Sequence, residues 1–206
     1  MNKRFIWNFE LNINAAQHLE IPEAMGSDAG RWESRFFWPE DSIIVLNGLN
    51  EHFLALSHYQ IKHREDTYYL VPNTDYNIKI RREQLFYKPI LARKLGAVAY
   101  GKKINLEELP LNMHLPNTEE KDVQTFMARI QKEGIKTHVQ KEALIYKFDT
   151  TPPTKLEIAR LCIADKNYYS ASIESHSMVL VESLGQQIIP NGMASDYVQF
   201  LRNISK

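Results

Sequence analysis

KHREDTYYLVPNTDYNIKIRREQLFYKP, residues 62–89, is the stretch whose reading decides the fold. Residues 68–71 (YYLV) are aromatic and aliphatic, Pro72-Asn73-Thr74-Asp75 is turn chemistry, and residues 76–82 alternate apolar and basic. Residues two apart in a strand share a face, so Asn77, Lys79 and Arg81 project one way and Tyr76, Ile78 and Ile80 the other. After a break at Glu83-Gln84, a strand over 85–91 carries one lysine, Lys88, among apolar and aromatic residues. The stretch thus reads as three short strands joined by turns. A sheet face that collects Lys79, Arg81 and Lys88 is either a solvated surface or a site for an anion.

The flanking sequence extends the same pattern. Residues 4–13 (RFIWNFELNI) alternate, which predicts one strand with Phe5, Trp7, Phe9 and Leu11 on its buried side. Residues 15–30 hold Pro22, Gly26 and Gly30 and read as a long loop or a short helix. Residues 31–38 (RWESRFFW) form the next strand. Pro39-Glu40-Asp41-Ser42 then looks like a helix start, and Ile43, Leu46, Leu49, Phe53 and Leu56 continue at helical spacing to about Ser57, with Asn47-Gly48 weakening the middle. Beyond residue 90, Val98 to Ile104 forms a strand. Residues 117–132 predict a helix, with Asn117 as cap, Glu120 three residues on, a Val123/Phe126/Met127/Ile130 stripe and Gly134 as stop. Residues 135–148 are strand-like, residues 155–164 and 168–175 form a hairpin, and helices follow over 177–184, ending at Gly185, and 195–204. Many antiparallel strands with about four helices inserted singly make an α+β fold, with a sheet that curls into an antiparallel β-barrel and helices packed outside.

Composition narrows the function classes. The 206 residues are 44% hydrophobic, enough for one sizeable core and a single domain spanning 1–206, with residues 1–30 as an extra N-terminal strand and loop. Lys+Arg and Asp+Glu are 25 each, and a net charge of zero argues against a general binder of duplex nucleic acid or of acidic membranes. No run approaches the ~20 apolar residues of a membrane helix, so a cytoplasmic protein is expected. The one cysteine, Cys162, lies in an apolar run (IARLCIA) and reads as a core thiol. There is no Gly-rich phosphate loop, no Gly-x-Ser-x-Gly elbow and no Cys/His cluster for zinc.

Charge on strands is what remains. Glu33 and Arg35 share a face, as do Asn77, Lys79 and Arg81; Lys141 and Lys147 do so in the strand over 137–148; Glu157 lies in the next strand, and Ser172 and Glu174 share a face in the one after. Taken singly, each is an ordinary solvent face laddered with ion pairs. Taken together, consecutive strands put Lys, Arg or Glu on one face and apolar residues on the other. The apolar stripes of the helices need the apolar face. The charged face then faces solvent or lines a lumen, and basic residues with a few carboxylates in a lumen suit a polyanion whose charge is bridged by a divalent metal.

In this order the residues resemble the CYTH superfamily of triphosphate tunnel proteins, which includes inorganic and RNA triphosphatases, thiamine triphosphatase and class IV adenylyl cyclases. The family's opening Glu-x-Glu-x-Lys strand is matched by Arg31-Trp32-Glu33-Ser34-Arg35, its Asp-Thr-Tyr strand by Asp66-Thr67-Tyr68-Tyr69, its basic pair by Lys79-Ile80-Arg81 and its lysine strand by Lys88. Lys141, Glu157 and Ser172-Ile173-Glu174 follow in the family's order. The resemblance implies phosphate contacts from Arg35, Lys79, Arg81, Lys88 and Lys141, metal ligation of Mg²⁺ or Mn²⁺ by Glu33, Glu157 and Glu174, and catalytic roles for Glu33 and Glu174. The implied partner is a small phosphorylated anion such as tripolyphosphate or a nucleoside triphosphate. The chain departs from the pattern at Arg31 and Ser172, where the family has acidic residues, at Arg35 in place of lysine, and at Ala143, where a second basic residue is usual. Three functions stay open: a metal-dependent triphosphatase, a phosphate-ligand-binding module without turnover, and an α+β interaction protein whose charged sheet face is merely wet.

Overall fold

The computed structural model describes residues 1–13, 19–24 and 26–205. Among these residues thirteen strands form two sheets. A small sheet has the order β1–β2–β4, with β1 (Asn2–Ile6) and β2 (Phe9–Asn12) antiparallel and β4 (Ile44–Leu46) parallel to β2. The ten-stranded sheet is built from β3 (Arg31–Pro39), β5 (Gln60–Leu70), β6 (Asn77–Arg81), β7 (Gln84–Lys88), β8 (Ile90–Lys94), β9 (Ala97–Tyr100), β10 (Ile104–Asn105), β11 (Ile135–Phe148), β12 (Thr154–Ile163) and β13 (Lys166–Ser175). Its strand order is β10-β7-β6-β5-β11-β12-β13-β3-β9-β8, antiparallel throughout. Among the described residues no ladder joins β10 to β8, so the barrel expected from the sequence is a curled half-barrel rather than a closed cylinder.

Two-residue turns with left-handed backbone set the register of its hairpins. Arg82 and Glu83 (φ 51° and 64°) link β6 to β7, Leu95 and Gly96 (50° and 80°) link β8 to β9, and Ala164 and Asp165 (48° and 60°) link β12 to β13. Positive φ at both central residues matches the right-handed twist of flanking strands, which is why such turns close tight hairpins. The last of these moves the β13 start to Lys166, two residues before the expected one. Pro89, which has no N–H to donate, separates β7 from β8 where a single strand over 85–91 was expected.

Among the described residues there are three α-helices rather than the expected four: α1 (Val123–Glu133), α2 (Met178–Ile188) and α3 (Tyr197–Ile204). The helix expected from Pro39-Glu40-Asp41-Ser42 to about Ser57 is instead β4 followed by 3-10 turns at Glu51–Leu54 and Leu56–His58. Gly48 sits at φ 71°, which breaks any helix there, and Ile44, Leu46, Leu49 and Phe53 reach the core as a strand and turn would place them, while Ile43 and Leu56 are exposed. Residues 4–13 are two strands of a hairpin, because Trp7 turns at φ 50° and Ile6 pairs with Phe9; the alternation hid the reversal. The loop or short helix expected over 15–30 falls partly on residues 15–18 and 25, outside the described ones.

Helix α1 is capped by Asp122, whose carboxylate accepts from Thr125 N at 2.8 Å and Thr125 Oγ1 at 2.7 Å; Asn117, the expected cap, lies in the left-handed region at φ 57°. Helix α2 continues through Gly185, the expected stop, where a Cβ would meet Ser34 Oγ on β3 only at an ordinary contact distance of 3.9 Å. On the convex side, α2 and the small sheet bury Phe9, Leu11, Leu46, Leu156, Ile158, Ile173, Val181 and Leu184, and α1 buries Phe126 and Ile130 against Ile78 and Tyr87. The third helix was expected outside, and it is not. Its Tyr197, Val198, Phe200 and Leu201 pack with Tyr68, Leu70, Val139, Ala143, Ala159 and Leu161 on the concave face, filling one end of the trough. The loop before it is fixed by Ser195 N donating to Arg35 O at 2.8 Å and by Asp196, which caps α3 through Gln199 N and accepts from Arg93 Nη1 at 2.7 Å.

Candidate anion-binding site

Strand alternation decides which side chains enter the open end of the trough. The registers Lys141↔Arg64, Ile145↔Glu157, Glu157↔Ser172, Ser172↔Arg35, Glu174↔Glu33 and Tyr68↔Lys79 place these residues on one face, and cross-strand partners share a face. The cavity they line has a volume of about 350 Å³, inside the roughly 300–1,000 Å³ typical of small-molecule sites. All eight residues expected at the site, Glu33, Arg35, Lys79, Arg81, Lys88, Lys141, Glu157 and Glu174, line it. Tyr197 of α3 lines it too.

Two charge clusters divide the inner wall. In the first, Asp66 on β5 accepts from Arg81 Nε and Nη2, both at 2.5 Å, and from Lys79 Nζ at 3.0 Å; Lys79 also donates to the Tyr68 hydroxyl at 3.3 Å. Burial alone would raise the Asp66 carboxyl, but the Arg81 hydrogen bonds and the two cations hold it down at about 2. One carboxylate thus serves two cations, and its bidentate geometry favours the arginine. Lys79 is the surplus charge. Burial pushes its ammonium down to about 7, since Asp66 offsets only part of the desolvation while Arg81 and Lys141 repel it.

In the second cluster, Arg35 is only 3% exposed and donates to three partners: Glu33 Oε1 from Nε at 2.7 Å, Glu157 Oε1 from Nη1 at 3.0 Å, and Ser170 Oγ from Nη1 at 3.2 Å. Its Nη2 lies 3.7 Å from Glu174 Oε1. Lys141 Nζ donates to the same Glu157 oxygen at 2.9 Å. The Tyr197 ring lies beneath, 4.9 Å from the guanidinium carbon. Burial opposes ionisation of Glu157 and Glu33, but Lys141 and Arg35 hold Glu157 far below the usual carboxylate range and Arg35 with Lys88 depresses Glu33. Glu174 goes the other way. Burial, then repulsion from Glu33 and Glu157, raises it. Lys88 Nζ lies 3.9 Å from the Tyr100 ring centroid, and burial lowers its ammonium.

Mg²⁺ or Mn²⁺, implied by the family resemblance, needs several oxygens pointing at one position. The described carboxylates do not provide it. Glu33, Glu157 and Glu174 all point at the Arg35 guanidinium, and no group of three or more His, Cys, Asp or Glu among the described residues is arranged to hold an ion. Two buried polar atoms nearby, Asn77 Oδ1 on the cavity wall and Ser172 Oγ beside Arg35 in register, have no hydrogen-bond partner among the described residues.

Sequence reasoning missed several lining residues. Arg31, Lys62, Arg64, Lys103 and Lys155 line the cavity as well. Lys62, Arg64, Asp66 and Tyr68 alternate along β5, a signal that was readable in residues 62–68. Lys103, by contrast, lies in a loop, over the Phe86 ring at 3.6 Å, and no periodicity announces it. In all, ten lining residues are Lys or Arg and three are Glu, a surplus of seven. Among the described residues no helix is long and apolar enough to cross a membrane.

No family model and no curated protein matches the chain. Among solved structures, a similar chain is a Bacillus halodurans protein whose adenylate cyclase assignment is itself provisional; it is 8% identical, covers 85% of this chain and 98% of its own, and has a TM-score of 0.40. That likeness bears on neither ligand nor reaction, and membership of the CYTH superfamily is not established by it.

Proposed function

We propose that this protein is CYTH-like and binds a small, multiply charged phosphorylated anion, of the tripolyphosphate or nucleoside triphosphate class, in the basic trough. The observation that carries this reading is the surplus of seven cations on one recessed cavity in a chain of zero net charge. Like charges gathered in one partly enclosed place repel one another and lose hydration, so a fold that collects them is stabilised by a polyanion. Lysine and arginine in convergent array are the side chains that hold phosphate oxygens. Duplex nucleic acid does not fit a cavity of this size. Saturation with tripolyphosphate at a hundred times Kd adds about 2.7 kcal/mol, which at roughly 2–4 °C per kcal/mol raises Tm by about 5–10 °C. No shift with tripolyphosphate or any nucleoside triphosphate would leave only the wet-surface reading.

Turnover is a second reading, supported by the opposed shifts of Glu33 and Glu174. Carboxyls that face each other across β3 and β13 with one depressed and the other raised form the pattern of a base and an acid. Glu33 would orient a water and take its proton as the new P–O bond forms, while Glu174 protonates the oxygen leaving as the old P–O bond breaks. Phosphate release from tripolyphosphate, nucleoside triphosphates and thiamine triphosphate, with and without Mg²⁺ or Mn²⁺, tests it. Binding without release on any of them leaves a binding module.

A further inference from the structure

We propose that the trough takes its anion in the metal-free form, with the Arg35 guanidinium holding Glu33, Glu157 and Glu174 in the place where a divalent cation would otherwise be required. This rests on the anion-binding reading of the same cavity and specifies which species of the ligand it accepts.

The geometry starts from the guanidinium. Nε, Nη1 and Nη2 are each directed at a different carboxylate, at 2.7, 3.0 and 3.7 Å. A divalent ion bound by these groups needs their oxygens at about 2.0–2.6 Å from a common point. That point is occupied by the guanidinium. Arg35 cannot swing aside as a surface arginine would: it is 3% exposed, its Nη1 also donates to Ser170 Oγ at 3.2 Å, the Tyr197 ring lies beneath it, and its own carbonyl accepts from Ser195 N. An incoming ion would leave a fixed, permanently charged and buried cation beside it. Charge points the same way. The three glutamates are balanced first by Arg35, Lys141 and Lys88, with Arg64 also acting on Glu157. The attraction for a phosphate chain then comes from the Lys79/Arg81 pair, which outnumbers Asp66, and from Arg31, Lys62, Arg64, Lys103 and Lys155, which line the same cavity. None of these needs a metal as bridge. A Mg²⁺–triphosphate complex brings less negative charge to that array than the free anion does, so dissolved Mg²⁺ competes with the protein for the ligand.

Calorimetric titration of tripolyphosphate into the full chain, in EDTA and then in excess MgCl₂, separates the outcomes. Binding in EDTA that weakens about tenfold or more in MgCl₂ is expected; the same tenfold is ~1.4 kcal/mol. Binding that appears only with Mg²⁺ overturns the inference while leaving the anion-binding reading intact, and no binding in either buffer overturns both. A Mn²⁺ titration followed by electron paramagnetic resonance should leave the free-ion signal of the wild type unchanged, and Arg35→Met, with the carboxylates released, should take Mn²⁺ up. Stoichiometric Mn²⁺ binding by the wild type would contradict the proposal. If Arg35→Met does not fold, Glu174→Gln decides: in MgCl₂ it should bind tripolyphosphate no more weakly than the wild type does, whereas a tenfold loss in MgCl₂ that is absent in EDTA would mark Glu174 as a ligand acting through a metal and overturn the proposal.

Discussion

Glu157 is the carboxylate on which the inner cluster depends, and Glu157→Gln is the perturbation that probes it. Its Oε1 accepts from both Arg35 and Lys141, at 3.0 and 2.9 Å, with the side chain 5% exposed. Removing one partner of a buried ion pair costs roughly 3–5 kcal/mol because the other is left uncompensated. The amide oxygen of glutamine keeps one acceptor and Arg35 keeps Glu33, so the lower end, about 3 kcal/mol, is expected. At roughly 2–4 °C per kcal/mol for a chain of this length, Tm falls by about 6–12 °C. The same change removes a negative charge from the anion site. At an effective dielectric of 20, a unit charge 6 Å from a phosphate oxygen contributes roughly 3 kcal/mol of repulsion. Tripolyphosphate should therefore bind the variant more tightly, by tenfold or more, and restore most of the lost Tm. Differential scanning calorimetry with and without the anion reads both effects. A variant that melts with the wild type, or one that loses stability and affinity together, would refute the reasoning.

Three further outcomes follow from the same geometry. The depressed ammonium of Lys79 is protonated in folded and unfolded chains below pH 7, while between about 7 and 10 the unfolded chain binds more protons, so this group makes stability rise with pH across that window. A bound anion favours the charged form, so affinity should fall as pH rises past about 7 in wild type relative to Lys79→Arg, which keeps its charge; superimposable pH profiles would contradict this. Asp66, held at about 2 against an ordinary value near 3.9, contributes roughly 2–3 kcal/mol that is present above about pH 4 and lost as pH falls toward 2. Asp66→Asn should lack that acid-sensitive step in urea denaturation, and an unchanged pH slope would count against the pairing. Tyr197→Ala removes the floor of the cavity and a ring stacked on Tyr68 at 5.2 Å, for a loss of about 3–5 kcal/mol in chemical denaturation; a loss under ~1 kcal/mol would mean α3 does not seal the trough.

The charged face was legible because period-two alternation is a property of the backbone and survives whatever surrounds it. Residues 135–148 illustrate this: the strand runs over the expected range and delivers Lys141 to the cavity. The failures occur where tertiary packing overrides local pattern. Leu46, Leu49 and Phe53 fit helical spacing, yet β4 pairs with β2, a partner more than thirty residues away by register, and no local signal reports it. The inward position of α3 was equally hidden, since an apolar stripe states that a helix is buried but not on which face of a sheet. Arg35 was placed at the site by its strand. Its engagement with three glutamates rather than with an incoming phosphate depends on distances between β3, β12 and β13 that a sequence does not contain.

The most direct test of the central claim is isothermal titration of tripolyphosphate into wild type and into the Lys79→Ala/Arg81→Ala double variant at one salt concentration. Each charge-assisted contact contributes roughly 1.5–3 kcal/mol, so one-to-one binding by the wild type should weaken by about a hundredfold or more in the variant. Equal affinity in the two proteins, or no heat of binding in the wild type, would contradict an anion site in this trough.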